Sequence, residues 1–239
     1  MGASSGIGRA LAARLLGEGN QVWGVARREI PLSERNQNYF YTIMDINVKN
    51  SWAKLVRNLK SKKYYPDAVI MCAAIFETDL PKQIDLVTTR KIMETNFFSI
   101  LSGVNALLPL MKKGSQMIVL SSISSQKGSG QEGVGYPASK AAISIAFESL
   151  RQKFQPKITF KTVFLGPVRT GMSPFVRHTF LSISEKKAVE AIIEAIKRNH
   201  VFSYSPNIMF FVLKLTKLIS QKLYFYLLNM IDLQHKKSL

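Results

Sequence analysis

The chain has 239 residues, 46% of them hydrophobic and 20% charged, and carries a formal net charge of +18. This length and composition are typical of one folded, soluble α/β domain with a sizeable core. The single cysteine, Cys72, excludes an internal disulfide. It suits a reducing compartment, and with no apolar signal peptide near Met1 we expect a cytoplasmic protein.

The basic residues are scattered along the chain and accompany no zinc-finger, helix-turn-helix or RNA-binding signature. We therefore expect neither nucleic-acid binding nor a metal site. A general positive field instead favours a phosphorylated cofactor or an acidic lipid surface.

Closely spaced glycines precede the first amphipathic helix. The spacing is Gly-x-x-x-Gly-x-Gly, and the helix predicted over residues 9–16 ends at Gly17. Glycines let a backbone approach a pyrophosphate, and a helix N-terminus supplies N–H donors and positive potential. An ordinary capped turn is the alternative. The predicted cofactor-binding residues of this loop are Gly2, Ser4, Ser5, Gly6, Ile7 and Gly8.

Apolar stretches alternate with helical patterns along the chain. We predict buried strands over 21–26, 39–44, 67–71, 116–120 and 158–164, and helices over 48–59, 88–111, 136–154 and 184–199. This alternation suits an α/β domain with a parallel sheet.

Two arginines follow the strand predicted over 21–26. At this position an acidic residue holds the ribose 2′-hydroxyl of NAD, whereas an arginine suits the 2′-phosphate of NADP. A guanidinium matches a phosphate as a fork, so Arg27 and Arg28 favour NADP(H) over NAD. A solvated pair of loop charges is the alternative. Asp45 and Ile46 end the next strand and are expected to flank the adenine.

Acid/base chemistry is suggested where the strand 116–120 leads into the helix 136–154. Tyr136 and Lys140 are four residues apart and share one helix face. A nearby ammonium favours a phenolate, which brings the tyrosine within reach of proton transfer near neutral pH. Ser122 delivers a hydroxyl from the strand end, with Ser121 as the second choice. A solvated helix face is the alternative for the Tyr-x-x-x-Lys pair.

In their order along residues 1 to about 200, the glycine loop, Asn96, Ser122, Tyr136-x-x-x-Lys140 and Gly166-Pro167-x-x-Thr170 resemble the short-chain dehydrogenase/reductase family. The resemblance implies a Rossmann-like, doubly wound parallel sheet and an oxidoreductase that interconverts a carbonyl and an alcohol. In that scheme Ser122 binds the carbonyl oxygen, Tyr136 transfers the proton, Lys140 lowers the tyrosine pKa and Asn96 maintains a proton relay. Further cofactor contacts are implied for Ala73, Ala74, Tyr136, Lys140, Pro167, Val168 and Thr170.

The family's usual first strand is not present ahead of Gly2, and Cys72 stands where the family commonly has asparagine. The alternative function is therefore a catalytically inactive or truncated relative, acting as a cofactor-binding or membrane-associated interaction module. Cys72 itself is expected to be a small core residue rather than a reactive thiol. The resemblance also implies a homo-oligomer that uses the helix containing Asn96.

Two domains are predicted: a Rossmann-like domain over 1–200 and an apolar, basic helical tail over 201–239. Lysines interrupt the tail too often for a membrane-spanning helix. The tail is expected either to lie on a membrane surface or to cover the substrate pocket or a partner subunit. Residues 171–184, with Phe175, His178 and Phe180, are the expected substrate cover, and their aromatic character predicts a hydrophobic substrate.

Overall fold

A computed structural model describes residues 1–28, 37–79, 83–126, 128, 132–169 and 182–226. Six strands are present in this part of the chain, and every pairing between them is parallel. They are β1 (Val22–Ala26), β2 (Tyr39–Ile43), β3 (Ala68–Met71), β4 (Ser115–Ser122), β5 (Ile158–Leu165) and β6 (Phe202–Ser205).

Helices connect and cover the strands. The α-helices are α1 (Gly6–Gly17), α2 (Ser51–Ser61), α3 (Leu86–Met93), α4 (Ser99–Leu107), α5 (Gly135–Phe154), α6 (Glu185–Lys197) and α7 (Met209–Leu218). A π-helical segment (Glu94–Phe98) joins α3 to α4, and residues 221–226 form a short further helix, α8.

The strands form two parallel sheets, with the order β2-β1 in one and β3-β4-β5-β6 in the other. The pairing of β4 with β5 extends over eight residues, from Ser115 opposite Ile158 to Ser122 opposite Leu165. This register places the carboxyl ends of β4 and β5 at the same level. The strand β6 was not predicted from the sequence.

Residues 1–3 lie between β1 and β3, at the carboxyl ends of those strands. The nitrogen of Met1 donates to the carbonyl of Ile70 (2.8 Å), and the N–H of Cys72 donates to the carbonyl of Met1 (3.2 Å). On the other side, the N–H of Gly2 donates to the carbonyl of Val25 (2.8 Å). Among the described residues no full strand lies between β1 and β3, so this short segment joins the two sheets.

Apolar side chains cover both faces of the sheets. On one face, Trp52, Phe147 and Phe160 belong to a core shared by α2, α4 and α5. On the other face, Leu11 of α1 and Ile192 of α6 pack with residues of β4 and β5. Helices on both sides of a parallel sheet make the fold doubly wound, which confirms the predicted fold class.

The helical segment predicted over 88–111, with its first interruption at Pro109, differs from the observed helices. The observed α3 begins at Leu86, because the Asp85 carboxylate caps it by accepting from the N–H groups of Val87 and Thr88, both at 3.0 Å. It then widens into the π-helical segment and ends at Leu107, before a short 3₁₀ turn. A π-helical turn inside an α-helix frequently marks a functional site.

The C-terminal segment starts from the last strand. The ring of Phe210 in α7 packs edge-on against Tyr204 of β6, with centroids 5.4 Å apart, and the Lys214 ammonium lies 4.4 Å from the Phe210 centroid. Several large apolar side chains beyond this anchor are exposed. Within the described ranges, no helix combines the length and the apolar character needed to cross a bilayer.

Candidate active site

A cleft of about 650 Å³ opens at the carboxyl ends of β1, β3, β4 and β5. In parallel α/β sheets, ligands bind at this edge. The cleft is lined on one side by the glycine loop before α1 and on the other by the start of α5.

The glycine loop is packed so tightly that there is no room for a Cβ atom at Gly2 or Gly8. A Cβ on Gly8 would lie 2.2 Å from the carbonyl oxygen of Gly2, and a Cβ on Gly2 would lie 2.9 Å from the nitrogen of Ala73. Gly2 also has φ +79, which favours glycine. The loop therefore brings the start of α1 close to the end of β3.

The first turn of α1 faces the cleft. Ser5, its N-cap residue, makes no side-chain hydrogen bond to the helix, and Gly6, Ile7 and Gly8 line the cleft. Backbone N–H groups of a first helical turn lack partners within the helix and attract anions. This arrangement fits the diphosphate of a dinucleotide.

Arg27 and Arg28 lie at the end of β1, exposed to solvent and on the cleft wall. Asp45 and Ile46 follow β2 on the same wall, and the Asp45 carboxylate accepts from the N–H of Asn47 (2.9 Å). These two strand ends thus supply two cations and one carboxylate to the part of the cleft beside the glycine loop.

Ser122 and Tyr136 both line the cleft at the end of β4, and the Ser122 hydroxyl is close enough to the Tyr136 phenol to act on its pKa. The Tyr136 ring packs edge-on against Phe76, with centroids 4.8 Å apart. Ser121, the second choice from the sequence, also lines the cleft, but its hydroxyl is engaged elsewhere. Its hydroxyl lies 2.8 Å from that of Ser144 on the buried side of α5.

Lys140 lies one helical turn beyond Tyr136 and is buried. Its ammonium donates to the carbonyl of Leu120 (2.9 Å) and lies 5.7 Å from the centroid of the Tyr136 ring. Burial lowers the pKa of Lys140 to about 8. The position on one helix face matches the prediction.

The expected effect of Lys140 on the tyrosine is not found. The pKa of Tyr136 is raised, mainly by burial and then by the negative charge of Glu132, while the nearby Ser122 hydroxyl acts in the opposite direction. Burial disfavours the charged form of both groups, and Lys140 is not among the groups that act on the pKa of Tyr136. Tyr136 is therefore a protonated phenol at neutral pH.

Asn96 stands behind the cleft wall, in the π-helical segment, and is 2% exposed. Its side-chain oxygen accepts from the N–H of Ile75 (2.8 Å), and its amide donates to the carbonyl of Ile75 (2.9 Å) and to the Ser139 hydroxyl (3.1 Å). All of these bonds are to protein groups. Asn96 therefore ties the segment after β3 to α5.

The structure gathers almost every predicted site residue around one cleft. The residues that line it are Gly2, Ser4, Ser5, Gly6, Ile7, Gly8, Arg27, Arg28, Asp45, Ile46, Ala73, Ala74, Ser122, Tyr136, Lys140, Pro167 and Val168. Thr170 lies outside the described residues, as do Phe175, His178 and Phe180 of the expected substrate cover.

Sequence reasoning missed several residues of the cleft. Phe76, Glu77 and Ile123 line it, as does Glu132, whose charge acts on Tyr136. Glu132 precedes α5 in an irregular glycine-containing stretch, so no periodic pattern marked it. Its proximity to the Tyr-x-x-x-Lys pair, four residues ahead of Tyr136, was the one available signal.

The charge of Glu132 also acts on a residue of the C-terminal helix α8. The pKa of Tyr224 is raised by burial and by that charge. Metal-binding clusters of histidine, cysteine and carboxylates are not found in the part of the chain that the structure describes.

Comparison with known proteins gives a consistent result. A family model described as short chain dehydrogenase matches residues 1–180. The chain is 28% identical to a benzil reductase ((S)-benzoin forming) of Saccharomyces cerevisiae over 195 residues, which are 74% of this chain and 73% of that protein. It is 26% identical to a 3-oxoacyl-(acyl-carrier-protein) reductase of Buchnera aphidicola over 179 residues, 72% of this chain and 73% of that one.

Among solved structures, a short chain dehydrogenase from Burkholderia cenocepacia in complex with NADP superimposes with a TM-score of 0.82. The match covers 95% of both chains at 24% sequence identity, and so it supports the fold. The family model covers most of the chain, including the glycine loop, Asn96, Ser122, Tyr136 and Lys140. The chain therefore belongs to the short-chain dehydrogenase family of oxidoreductases.

Proposed function

We propose that this protein is an NADP(H)-dependent reductase that converts a carbonyl to an alcohol. The observation that carries the proposal is that Ser122, Tyr136 and buried Lys140 line the same cleft as the glycine loop. The hydroxyls of Ser122 and Tyr136 can meet a carbonyl oxygen there, next to a site that fits a dinucleotide.

Proton transfer is assigned to Tyr136. Because burial raises its pKa, the phenol is protonated at neutral pH and acts as the acid in carbonyl reduction. Ser122 donates a hydrogen bond to the carbonyl oxygen, and the Lys140 ammonium stabilises the negative charge left after proton transfer. When bound, the nicotinamide supplies the hydride.

The choice of NADP(H) over NAD(H) rests on Arg27 and Arg28. Both are exposed on the cleft wall at the end of β1, where a ribose 2′-phosphate would lie. The bound NADP of the Burkholderia cenocepacia structure agrees with this choice. Asp45 and Ile46 flank the adenine, and Ala73, Ala74, Pro167, Val168 and Thr170 complete the cofactor contacts.

The substrate is assigned to the hydrophobic carbonyl compounds. Phe76 and Ile123 line the cleft beside Tyr136, and the relatives include a benzil reductase. The protein is further proposed to be cytoplasmic and homo-oligomeric, with a Rossmann-like domain over 1–200 and a tail over 201–239.

The direct test follows NADPH consumption by the purified full chain with benzil and a panel of other ketones and aldehydes. We expect turnover of at least one apolar ketone with NADPH and slower turnover with NADH. Cofactor binding without consumption against the whole panel would favour the alternative, a catalytically inactive cofactor-binding protein. The intact Ser122, Tyr136 and Lys140 cluster argues against that alternative.

A second proposal concerns the tail, which we assign to contact with an anionic membrane surface. Phe211, Leu215 and Leu218 are 69%, 60% and 83% exposed, and they recur at helical spacing on α7 beside Lys214. Exposed apolar side chains with flanking lysines suit the interface of acidic lipids. Packing against a partner subunit is the competing explanation, and flotation with anionic and neutral liposomes separates the two.

A further inference from the structure

Glu132 is a partly buried carboxylate that the proposed mechanism does not use. It lines the cleft shortly before α5. Its Oε2 atom is buried and has no hydrogen-bond partner among the described residues, and no ion pair found in those residues involves it. Burying a carboxylate oxygen without a hydrogen-bond donor costs free energy, so we expect this atom to have a partner in a ligand complex.

The backbone that follows Glu132 is held in place. Gly133 has φ +71, and a Cβ there would lie 2.8 Å from the nitrogen of Asp79. The N–H of Val134 donates to the Asp79 carboxylate (2.8 Å). The turn after Glu132 is therefore fixed against the segment after β3.

Glu132 is also connected to the reacting groups. The Ser124 hydroxyl is close enough to its carboxyl group to act on the pKa of Glu132, and the Ser124 and Ser122 hydroxyls are 3.1 Å apart. The charge of Glu132 also acts on the pKa of Tyr136. The carboxylate therefore lies near the position of a carbonyl oxygen held by Ser122 and Tyr136, on the wall of the same cleft.

We propose that Glu132 determines substrate specificity, with Oε2 accepting a hydrogen bond from a hydroxyl or ammonium group that the carbonyl substrate carries near its reacting carbon. This rests on the proposed function, because it places the reacting carbonyl at Ser122 and Tyr136. The preferred substrate is then an apolar ketone with one donor group, rather than a plain hydrocarbon ketone.

The charge balance around Glu132 agrees with this assignment. The ionisable groups that sense its charge are the phenols of Tyr136 and Tyr224, from α5 and α8. Burial raises the pKa of Glu132, and the nearby Ser124 hydroxyl opposes that change. A ligand ammonium or hydroxyl would meet an acceptor that no described cation neutralises.

The test uses three ketones that differ at one position: propiophenone, 2-hydroxyacetophenone and protonated 2-aminoacetophenone. For the wild-type chain with NADPH, kcat/KM is expected to be highest for the ketones that carry a donor. In Glu132→Gln, the ratio of kcat/KM between the amino ketone and propiophenone should fall about 10- to 100-fold, the loss typical of one hydrogen bond to a charged group. Glu190→Gln, on the exposed face of α6, is the matched control and should keep the wild-type ratio.

Equal ratios in the wild type and Glu132→Gln would overturn the inference while leaving the proposed function intact. A binding measurement separates the two if no ketone is turned over. Calorimetric titration of the NADPH-loaded protein with 2-amino-1-phenylethanol, which cannot be reduced, should show at least about tenfold weaker binding to Glu132→Gln than to wild type. Equal affinities would reject Glu132 as the acceptor, and unchanged NADPH affinity of the variant would show that it is folded.

Discussion

The core around α5 and the C-terminal segment both contain large apolar residues, but these residues have different surroundings. Around α5 and β5, Phe147 and Phe160 are fully buried in the core, on the helix that carries Tyr136 and Lys140 and on the strand packed against it. In α7, Phe211 and Leu218 are 69% and 83% exposed. Apolar composition alone therefore does not show whether a segment lies in the core or on an exposed surface. The partner that an apolar residue meets decides whether it supports a catalytic site or forms an interaction surface.

The largest effect is expected at the cleft. Tyr136→Phe removes the proposed acid and retains the ring that packs on Phe76, so kcat for ketone reduction should fall by about 10³ or more. NADPH affinity, measured by fluorescence titration, should change little. Tyr65→Phe, on the exposed surface, is the matched control. Activity within a few fold of wild type in Tyr136→Phe would remove Tyr136 from the acid role.

A pair of phenylalanine truncations measures the contrast in packing. Phe147→Ala leaves a cavity in a filled core and should lower the free energy of unfolding by about 3–5 kcal/mol. Phe211→Ala removes an exposed side chain and should change it by no more than about 0.5 kcal/mol. Denaturant unfolding compares the two. A large loss in Phe211→Ala would mean that α7 is buried by a partner in solution.

A smaller effect than that of Tyr136→Phe is expected for variants that test the cofactor preference. Replacing Arg27 and Arg28 together by serine removes both candidate phosphate donors and should weaken NADPH binding about 10- to 100-fold, with NADH binding little changed. Arg57→Ser on the exposed side of α2 serves as the control. Equal losses for NADPH and NADH would show that the two arginines do not recognise the 2′-phosphate.

The pH dependence of kcat/KM tests the role of the Lys140 ammonium. Because burial lowers its pKa to about 8, the ammonium is lost as the pH rises through 8, while Tyr136, with its raised pKa, stays protonated there. The value of kcat/KM for reduction should thus fall above pH 8, by about tenfold for each pH unit. A profile that stays flat to pH 10 would contradict a requirement for charged Lys140.

The lowered pKa of Lys140 also affects stability, which should rise with pH in the range where activity falls. Between about pH 8 and the usual lysine value, the unfolded chain binds more protons than the folded one, so the contribution of Lys140 to the unfolding free energy rises with pH. Lys140→Met should lack that rise. The difference in unfolding midpoint between wild type and Lys140→Met should therefore shift in favour of wild type over this window.

Most of the fold could be predicted from the sequence because its signals are local. The spacing Gly2-x-x-x-Gly6-x-Gly8 and the pair Tyr136 and Lys140 depend on neighbours a few residues apart, and the structure places all of these residues at one cleft. The predicted strand ends correspond closely to those observed for β1, β4 and β5.

The features that escaped prediction depend on distant contacts. The π-helical segment is tied to Ile75, 21 residues before Asn96. The short strand β6 has a mixed burial pattern and is defined by its pairing with β5. Likewise, the raised pKa of Tyr136 follows from burial and from Glu132, neither of which a Tyr-x-x-x-Lys spacing reveals.

The central claim is that this cleft transfers a hydride to a carbonyl carbon while Tyr136 supplies the proton. The most direct measurement incubates the protein with benzil and NADPH deuterated at both hydrogens of C4, and analyses the alcohol product by mass spectrometry. The account predicts one deuterium on the carbinol carbon with wild type, formed from one face of the cofactor, and none above background with Tyr136→Phe. Absence of deuterated alcohol with wild type, despite measured NADPH binding and a panel of ketones, would contradict it.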